Sequence, residues 1–583
     1  MLTVSTGGSS AQVSLSQSAP EVNPTERIAM PGNWTITRTY TNAAGTSSFE
    51  DITFYDGLGY AEQIVQVGAS PSGGKNIVTP VWYDAMRRAD ARSYLPYVSN
   101  STSRTEESTS SVLTNQSTWY NNNGWSGQGD YAFSEQEYEA SPLNRVLKAR
   151  KPGSTYAKAL SGTKAVQMTY AANAASEVRK LSVNSAGQLI LSGGYYGAGT
   201  LHKVTTTDED NAVSIVWTDV LGRTVLSRQT NGSTNMDTYY VYDDAGHLCW
   251  VVTPEGAAAF GASSSWSMPG TTDVNTSNAA KFCYIYTWDG HGRQLSRKIP
   301  GKAVEYFVYD RAGRLVMSQD GLQRAAGLWV TFKYDNAGRL VRRALLSSSQ
   351  TQSYFQNLFE SSNAPTVVYP TSGDTLLDSF DYGTYGNRPS TLAFSAVSGV
   401  TPAVDQTRIK GLKTYEKVAI LSGAGTPTTY VQRAFYYNQI GRLIQTVESD
   451  AMGTVSRYSS GYDFLGAVTA SREQHGADYK TSTFTYDLRG RLLSESTSVN
   501  GSVTATMAYA YDPLGRLKTT TSGSGANAVT TTDTFNIQGW LTARSAMKGS
   551  TNIFSMSLGY YTPVQSGATA RYSGDISSWA WTQ

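Results

Sequence analysis

Carboxylates, imidazoles and thiols are the side chains from which this chain could build a reactive site. Seven aspartates, Asp56, Asp84, Asp243, Asp310, Asp335, Asp487 and Asp512, each follow directly on a tyrosine. General acid–base catalysis would need two carboxylates in one asymmetric pocket, with pKa values pushed apart. An aspartate repeated in every copy of a pattern does something else: it caps a turn by accepting bonds from the amides ahead of it. Of the four histidines, His202, His247, His291 and His475, two (His247 and His291) sit beside the glycine of such a turn. Their spacing does not supply a metal-ligand cluster. Cys249 and Cys283 make no disulfide framework and read as two buried thiols on neighbouring strands, with a single bridge as the alternative. Gly193 to Gly199 has glycines at phosphate-loop positions but lacks both a following Lys-Ser/Thr and a strand-to-helix context. No Ser/His/Asp or Cys/His set carries a signature. The sequence thus assigns no catalytic residue, no metal ligand and no cofactor.

The pattern that carries the aspartates is a hairpin turn. In Tyr511-Asp512-Pro513-Leu514-Gly515-Arg516-Leu517 the Asp opens a type I turn, Pro presets φ, and Gly supplies the left-handed residue that realigns the strands through a bulge. Close copies hold Tyr309, Asp310, Gly313 and Arg314; Tyr334, Asp335, Gly338 and Arg339; and Tyr486, Asp487, Gly490 and Arg491. Tyr437-Asn438 with Gly441-Arg442 is another, and weaker members begin at Tyr55, Tyr83, Thr218, Tyr242, Trp288, Tyr462 and Phe535. From 437 to 462, 486, 511 and 535 the aromatic recurs every 25, 24, 25 and 24 residues. That period holds two strands and two reversals, the mark of a repeat architecture. On the incoming arm Met507, Tyr509 and Tyr511 alternate with Ala508 and Ala510, so bulky and small side chains fall on opposite sheet faces. The motif arginines lie almost opposite the Asp, which points to a cross-strand ion pair or to stacking on a neighbouring Tyr. The motif tyrosines are expected to stack from repeat to repeat.

Composition sets outer limits. The 583 residues carry 47 Lys+Arg against 45 Asp+Glu, a net charge of +2, so nothing in the overall charge calls for nucleic acid or an anionic membrane. There is no apolar run long enough for a membrane-spanning helix. The polar N-terminus lacks the features of a secretory signal. Tyr (38) outnumbers Phe (16), which suits strands whose aromatics keep a polar end.

Along the chain we expect a polar leader at 1–32, either flexible or a loosely docked extended segment, a β region opening the array at 33–100, and divergent repeats with long turns at 101–210. A first clear array spans 211–346. At 347–430 the regular spacing is lost, and Gln350 to Glu360 is a candidate short helix within an insertion. The array resumes at 431–545, and 546–583 is a terminal β segment that ends without an identifiable cap. Roughly thirteen hairpin units imply on the order of 20 to 26 strands, too many for a flat open sheet or for a closed one filled by its own side chains. The expected fold is therefore all-β, one long antiparallel sheet curled or spiralling into a hollow shell.

The Tyr-Asp-x-x-Gly-Arg-Leu units resemble the YD repeats of the Rhs family of bacterial polymorphic toxins, related to the shells of insecticidal toxin complexes and to teneurins. Phe54 to Gly59, Ile77 to Asp84, Ser93 to Tyr97, Ser141 to Val146, Lys410 to Thr414 and Tyr572 to Trp579 resemble the N-terminal domain and flanking segments of Bacteroidetes-type members. The resemblance implies a secreted or surface-delivered cocoon, used in interbacterial competition, around a toxic C-terminal domain. It further implies a sealing core with an aspartyl self-cleavage site, beyond this chain, so that the chain itself is no enzyme. Its partners would be that core plug and toxin, with a secretion component or an immunity protein. The competing reading is an adhesin that binds glycans on exposed Trp119, Trp125, Trp579 and Trp581, and a third is a structural part of a surface or secretion assembly.

Overall fold

The turn geometry is set locally. At Tyr511 to Leu517 the Asp512 amide donates to the Arg516 carbonyl (2.7 Å) and the Gly515 amide to the Asp512 carbonyl (2.8 Å). Asp512 Oδ1 accepts from the amides of Leu514 (3.0 Å) and Arg516 (2.9 Å), and Oδ2 accepts from Arg516 Nε (2.6 Å). Gly515 takes φ +87°, and the register slips between Ala510 and Tyr511. Asp310, Asp335 and Asp487 repeat the whole set with Arg314, Arg339 and Arg491. One aspartate thereby satisfies two amides and a guanidinium, as a capped turn requires.

In the computed structural model the described residues are Leu2–Ser5 and 32–583, except 186, 233, 262–266, 269–279, 362–368, 422–426 and 428. They build one antiparallel sheet of 29 strands, all-β as expected and somewhat longer than the turn count suggested. A six-stranded sheet, from Leu2–Ser5 through Asn33–Tyr40, Ser48–Tyr55, Ala61–Gln66 and Ile77–Pro80 to Tyr97–Val98, forms a separate N-terminal body. Apart from Leu2–Ser5, which pairs with Asn33–Tyr40, the expected leader lies outside the described residues.

Helix α1 (Val112–Asn122) packs on the N-terminal sheet. Val112 and Tyr120 share a core with Ile36, Ile52, Val65 and Tyr97. This core crosses the expected boundary near residue 100, and α1 stands where divergent repeats were expected. Among the described residues three further α-helices sit in connections: α2 (Pro254–Phe260), α3 (Gly321–Ala325) and α4 (Gln352–Ser361). Thr253 caps α2 ahead of a proline, and Asp320 with Gln323 forms a capping box on α3. Helix α4 matches the expected helix of the insertion.

Following the register from strand to strand assigns side chains to two faces, because directly opposed residues share a face. On one face Trp217, Leu226, Tyr239, Val252 and Cys283 stand side by side. The hairpin Arg179–Val183/Leu189–Tyr195 and α2 cover them. Farther along the same face, α4 covers Met317, Trp329 and Leu346. The loop around Tyr385, Leu392 and Phe394 covers Tyr415, Ala434 and Val447. From Asp478–Tyr486 onward that face has no such cover among the described residues, and the wall is a single layer.

Candidate functional site

Within the long sheet successive motif turns are separated by two strands, so they lie on one rim of it. There an arginine already held by the aspartate of its own turn also reaches the next repeat. Arg314 lies 5.1 Å from the Tyr334 ring centroid, Arg491 5.7 Å from Tyr511, and Arg516 5.3 Å from Phe535. The next tyrosine in turn donates its hydroxyl to a backbone carbonyl of the repeat before. Tyr334 donates to Leu315 (2.6 Å), Tyr462 to Leu443 (2.6 Å), Tyr486 to Val468 (2.8 Å) and Tyr511 to Leu492 (2.7 Å). In place of the expected Tyr-on-Tyr stacking, an arginine lies over the ring of the next repeat, a better use of a cation already fixed in place. At two turns that lack Arg an aromatic substitutes: His247 stacks on Trp288 at 5.2 Å, and Trp540 lies 5.0 Å from Tyr560.

The electrostatics follow from these bonds. At Asp335 the Arg339 amide and then its guanidinium hold the carboxyl below the usual range. At Asp219 and Asp289 burial works in the opposite direction, but the amide and guanidinium bonds from Arg223 and Arg293 outweigh it. Glu139 is held at about 2 by Arg145, whose guanidinium grips both its oxygens (2.9 and 2.6 Å).

Glu139 and Arg145 form a repeat turn that departs from the Tyr-Asp-x-x-Gly-Arg pattern. Glu replaces Asp and the loop is two residues longer, yet Arg145 lies 4.5 Å from the Tyr170 ring and Tyr170 donates to the Val146 carbonyl (2.8 Å). A second hidden copy explains the lost spacing between Tyr334 and Tyr437. Tyr382 is the motif aromatic, lying 4.5 Å from Arg339, and its turn is expanded to hold residues 383–412. The Gly383 amide still donates to the Leu412 carbonyl (2.9 Å).

The N-terminal body docks on this rim. Arg489 donates to Asp51 (2.8 Å) and to the carbonyls of Glu50 (2.9 Å) and Val67 (3.0 Å). Arg491 donates to the Ala69 carbonyl (2.9 Å), Ser70 to Pro513 (2.8 Å) and Trp125 to Phe535 (3.1 Å). Beyond this body, connections on the opposite rim of the opening strands rest on the last motif turns. Gln538 donates to the Pro152 carbonyl (2.6 Å) and Tyr156 to Tyr572 (2.8 Å), while Asp210 accepts from the Tyr572 (2.8 Å) and Ser573 (3.0 Å) amides. The sheet therefore winds until one rim of its beginning meets the other rim of its end.

Asp289, His291 and Glu360 converge within ligand distance of one another, which the histidine spacing did not foresee. Arg293 bonds both carboxylates of the group, however, so a cation already stands where an ion would bind. Cys249 and Cys283 are buried on neighbouring strands and no disulfide joins them. Cys283 pairs with Val252, three residues from Cys249, and burial pushes both thiols up to about 11.

The RHS Repeat family matches residues 486–527, the stretch that holds the Asp487 and Asp512 turns. Those two turns lie in an RHS repeat. A family described as a domain of unknown function (DUF6443) matches residues 28–171, which take in the N-terminal body, α1 and the Glu139 turn of the RHS-repeat chain. No curated protein matches the sequence. Among solved structures the chain is similar to a crystal structure of TcdB2-TccC3-TEV, at 12% identity and a TM-score of 0.41 over 94% of this chain and 28% of that one. It is similar also to a Photorhabdus luminescens Tc holotoxin pore, at 13% identity and a TM-score of 0.40 over 91% of this chain and 27% of that one. The RHS-repeat chain thus spans under a third of the length of either.

Proposed function

We propose that this RHS-repeat chain is the wall of a β-shell that encloses a C-terminal toxin domain of its parent protein and helps deliver it to another cell. The observation that carries the reading is the chemistry of the uncovered face. Ala510, Thr519, Thr532, Ser545, Ser555 and Thr582 stand side by side across six strands. Ala470, Thr483, Ser496 and Thr506 form a second such row. Hydroxyls pair within the face, Thr485 with Ser494 (2.6 Å) and Thr521 with Thr530 (3.0 Å). The bulky residues Phe484, Glu495 and Met507 stand together on the opposite face. Small residues suit the concave side of a curled sheet, where space tapers. A polypeptide confined against such a lining meets neither charges to pair with nor a large apolar surface to adhere to, so it can be held without being bound.

In this reading the chain itself catalyses nothing, and the core plug, self-cleavage site and toxin belong to the parent's later residues. Secretion or surface display, use against competing bacteria, and association with a secretion component or immunity protein follow from the same reading. The test is protease protection in the natural full-length protein. The segment after residue 583 should resist a protease that digests the same segment expressed alone. Equal rates of digestion would defeat the proposal.

A further inference from the structure

We propose that a cleft between α1 and the Asp512 turn binds an acidic sugar. The cleft is about 290 Å³, at the small end of the roughly 300–1,000 Å³ of small-molecule sites and suited to the end of an oligosaccharide. Trp119 and Trp125 line one side, with ring centroids 5.9 Å apart and planes inclined by 36°. Pro513 and Phe535 line the cleft as well. Trp125 is fixed by its indole N–H on the Phe535 carbonyl (3.1 Å), and Arg516 lies 5.3 Å from both the Trp125 and the Phe535 ring centroids. The aromatic wall is thus preformed, and flat rings ringed by polar groups match a pyranose, with its C–H faces and hydroxylated edges.

Charge selects among sugars. Asp512 is neutralised by Arg516 (2.6 Å), and Asp533 by Arg544 through two bonds of 2.7 and 2.8 Å. Lys518, exposed on the cleft wall, has no ion-pair partner among the described residues. The uncompensated charge of the wall is therefore positive, and a uronic acid carboxylate complements it. Asn123 donates to the Trp119 carbonyl (2.8 Å), which leaves its side-chain oxygen as an acceptor for a sugar hydroxyl. This site does not depend on the shell reading, and neither would fall with the other.

The test is calorimetric titration of the whole chain with tri-galacturonate, and with maltotriose as the neutral control. Saturable binding of tri-galacturonate is expected, with maltotriose at least about tenfold weaker. Lys518→Gln should bring the two sugars within about threefold of each other, and Trp119→Ala should weaken tri-galacturonate by about tenfold or more. Because Trp119 also packs against the N-terminal core, Trp119→Phe, which keeps an aromatic ring, should retain binding within about tenfold. A thermal melt verifies that the alanine variant is folded. No saturable binding of tri-galacturonate, maltotriose binding equally well, or undiminished binding by folded Trp119→Ala would each overturn the proposal.

Discussion

The motif aspartate does three jobs with one carboxylate, and its protonation should undo all of them. Asp56, Asp84, Asp219, Asp289 and Asp335 are each held below the ordinary carboxylate value. A carboxylate lowered by folding adds stability that is complete above its unfolded value of about 3.9 and is lost as pH falls through the folded values. The thermal midpoint should thus be level from about pH 7 to 5 and fall steeply below about pH 4, as followed by circular dichroism. The glycines separate two effects. Gly313 has φ +76° and open space where a Cβ would go, whereas at Gly515, with φ +87°, a Cβ would lie 2.7 Å from Arg491 Nη1. Gly313→Ala should cost only the left-handed strain, about 1–2 kcal/mol, and Gly515→Ala more, since it also dislodges an arginine that holds the Ala69 carbonyl. Tyr511→Phe, which removes one hydroxyl bond between repeats, should cost about 1 kcal/mol in a urea titration.

At the level of elements, the hairpins were legible in the sequence because their determinants are local. Asp, Gly and the alternation of Tyr with Ala fix turn, bulge and face within a dozen residues, and Met507, Tyr509 and Tyr511 are indeed less exposed than Ala508 and Ala510. What was missed depends on contacts distant in sequence. Helix α1 buries Val112, Gln116 and Tyr120, one residue per turn, too thin a stripe to announce a helix. Tyr382 was hidden by the expansion of its turn, and the Glu139 turn by two added residues. That α2, α4 and the Tyr385 loop all cover one face could not be read at all, since only the register defines that face. Nor could the docking role of Arg489, which occupies a variable position of the motif. Arg489→Ala should remove about 1.5–3 kcal/mol from the attachment of the N-terminal body. Limited trypsin digestion should then cut within residues 33–122 roughly tenfold faster or more, while the Asp335 and Asp310 turns stay protected. Unchanged digestion would show that Trp125 and the apolar contacts of Ile537 carry the attachment.

For the molecule as a whole, the winding sheet is held where its start meets its end, and side chains and turns take part in this junction. Asp210 is central to it, taking the amides of Tyr572 and Ser573 and the Ser573 hydroxyl (2.6 Å). Asp210→Ala should speed hydrogen exchange at those two amides by about tenfold or more, with little change in the Tyr334 or Tyr511 hairpins, because a repeat array transmits perturbation mainly to neighbours. A junction of this kind also sets how the molecule can change in size. Strands lie about 4.8 Å apart, so gaining or losing one two-stranded unit alters the girth by roughly 9–10 Å, and the diameter by about 3 Å. Since Pro152, Tyr156 and Asp210 meet turn chemistry at Gln538 and Tyr572, whole units can be duplicated or deleted between them while both mating surfaces stay as they are. Volume would then evolve in fixed steps, each one hairpin wide.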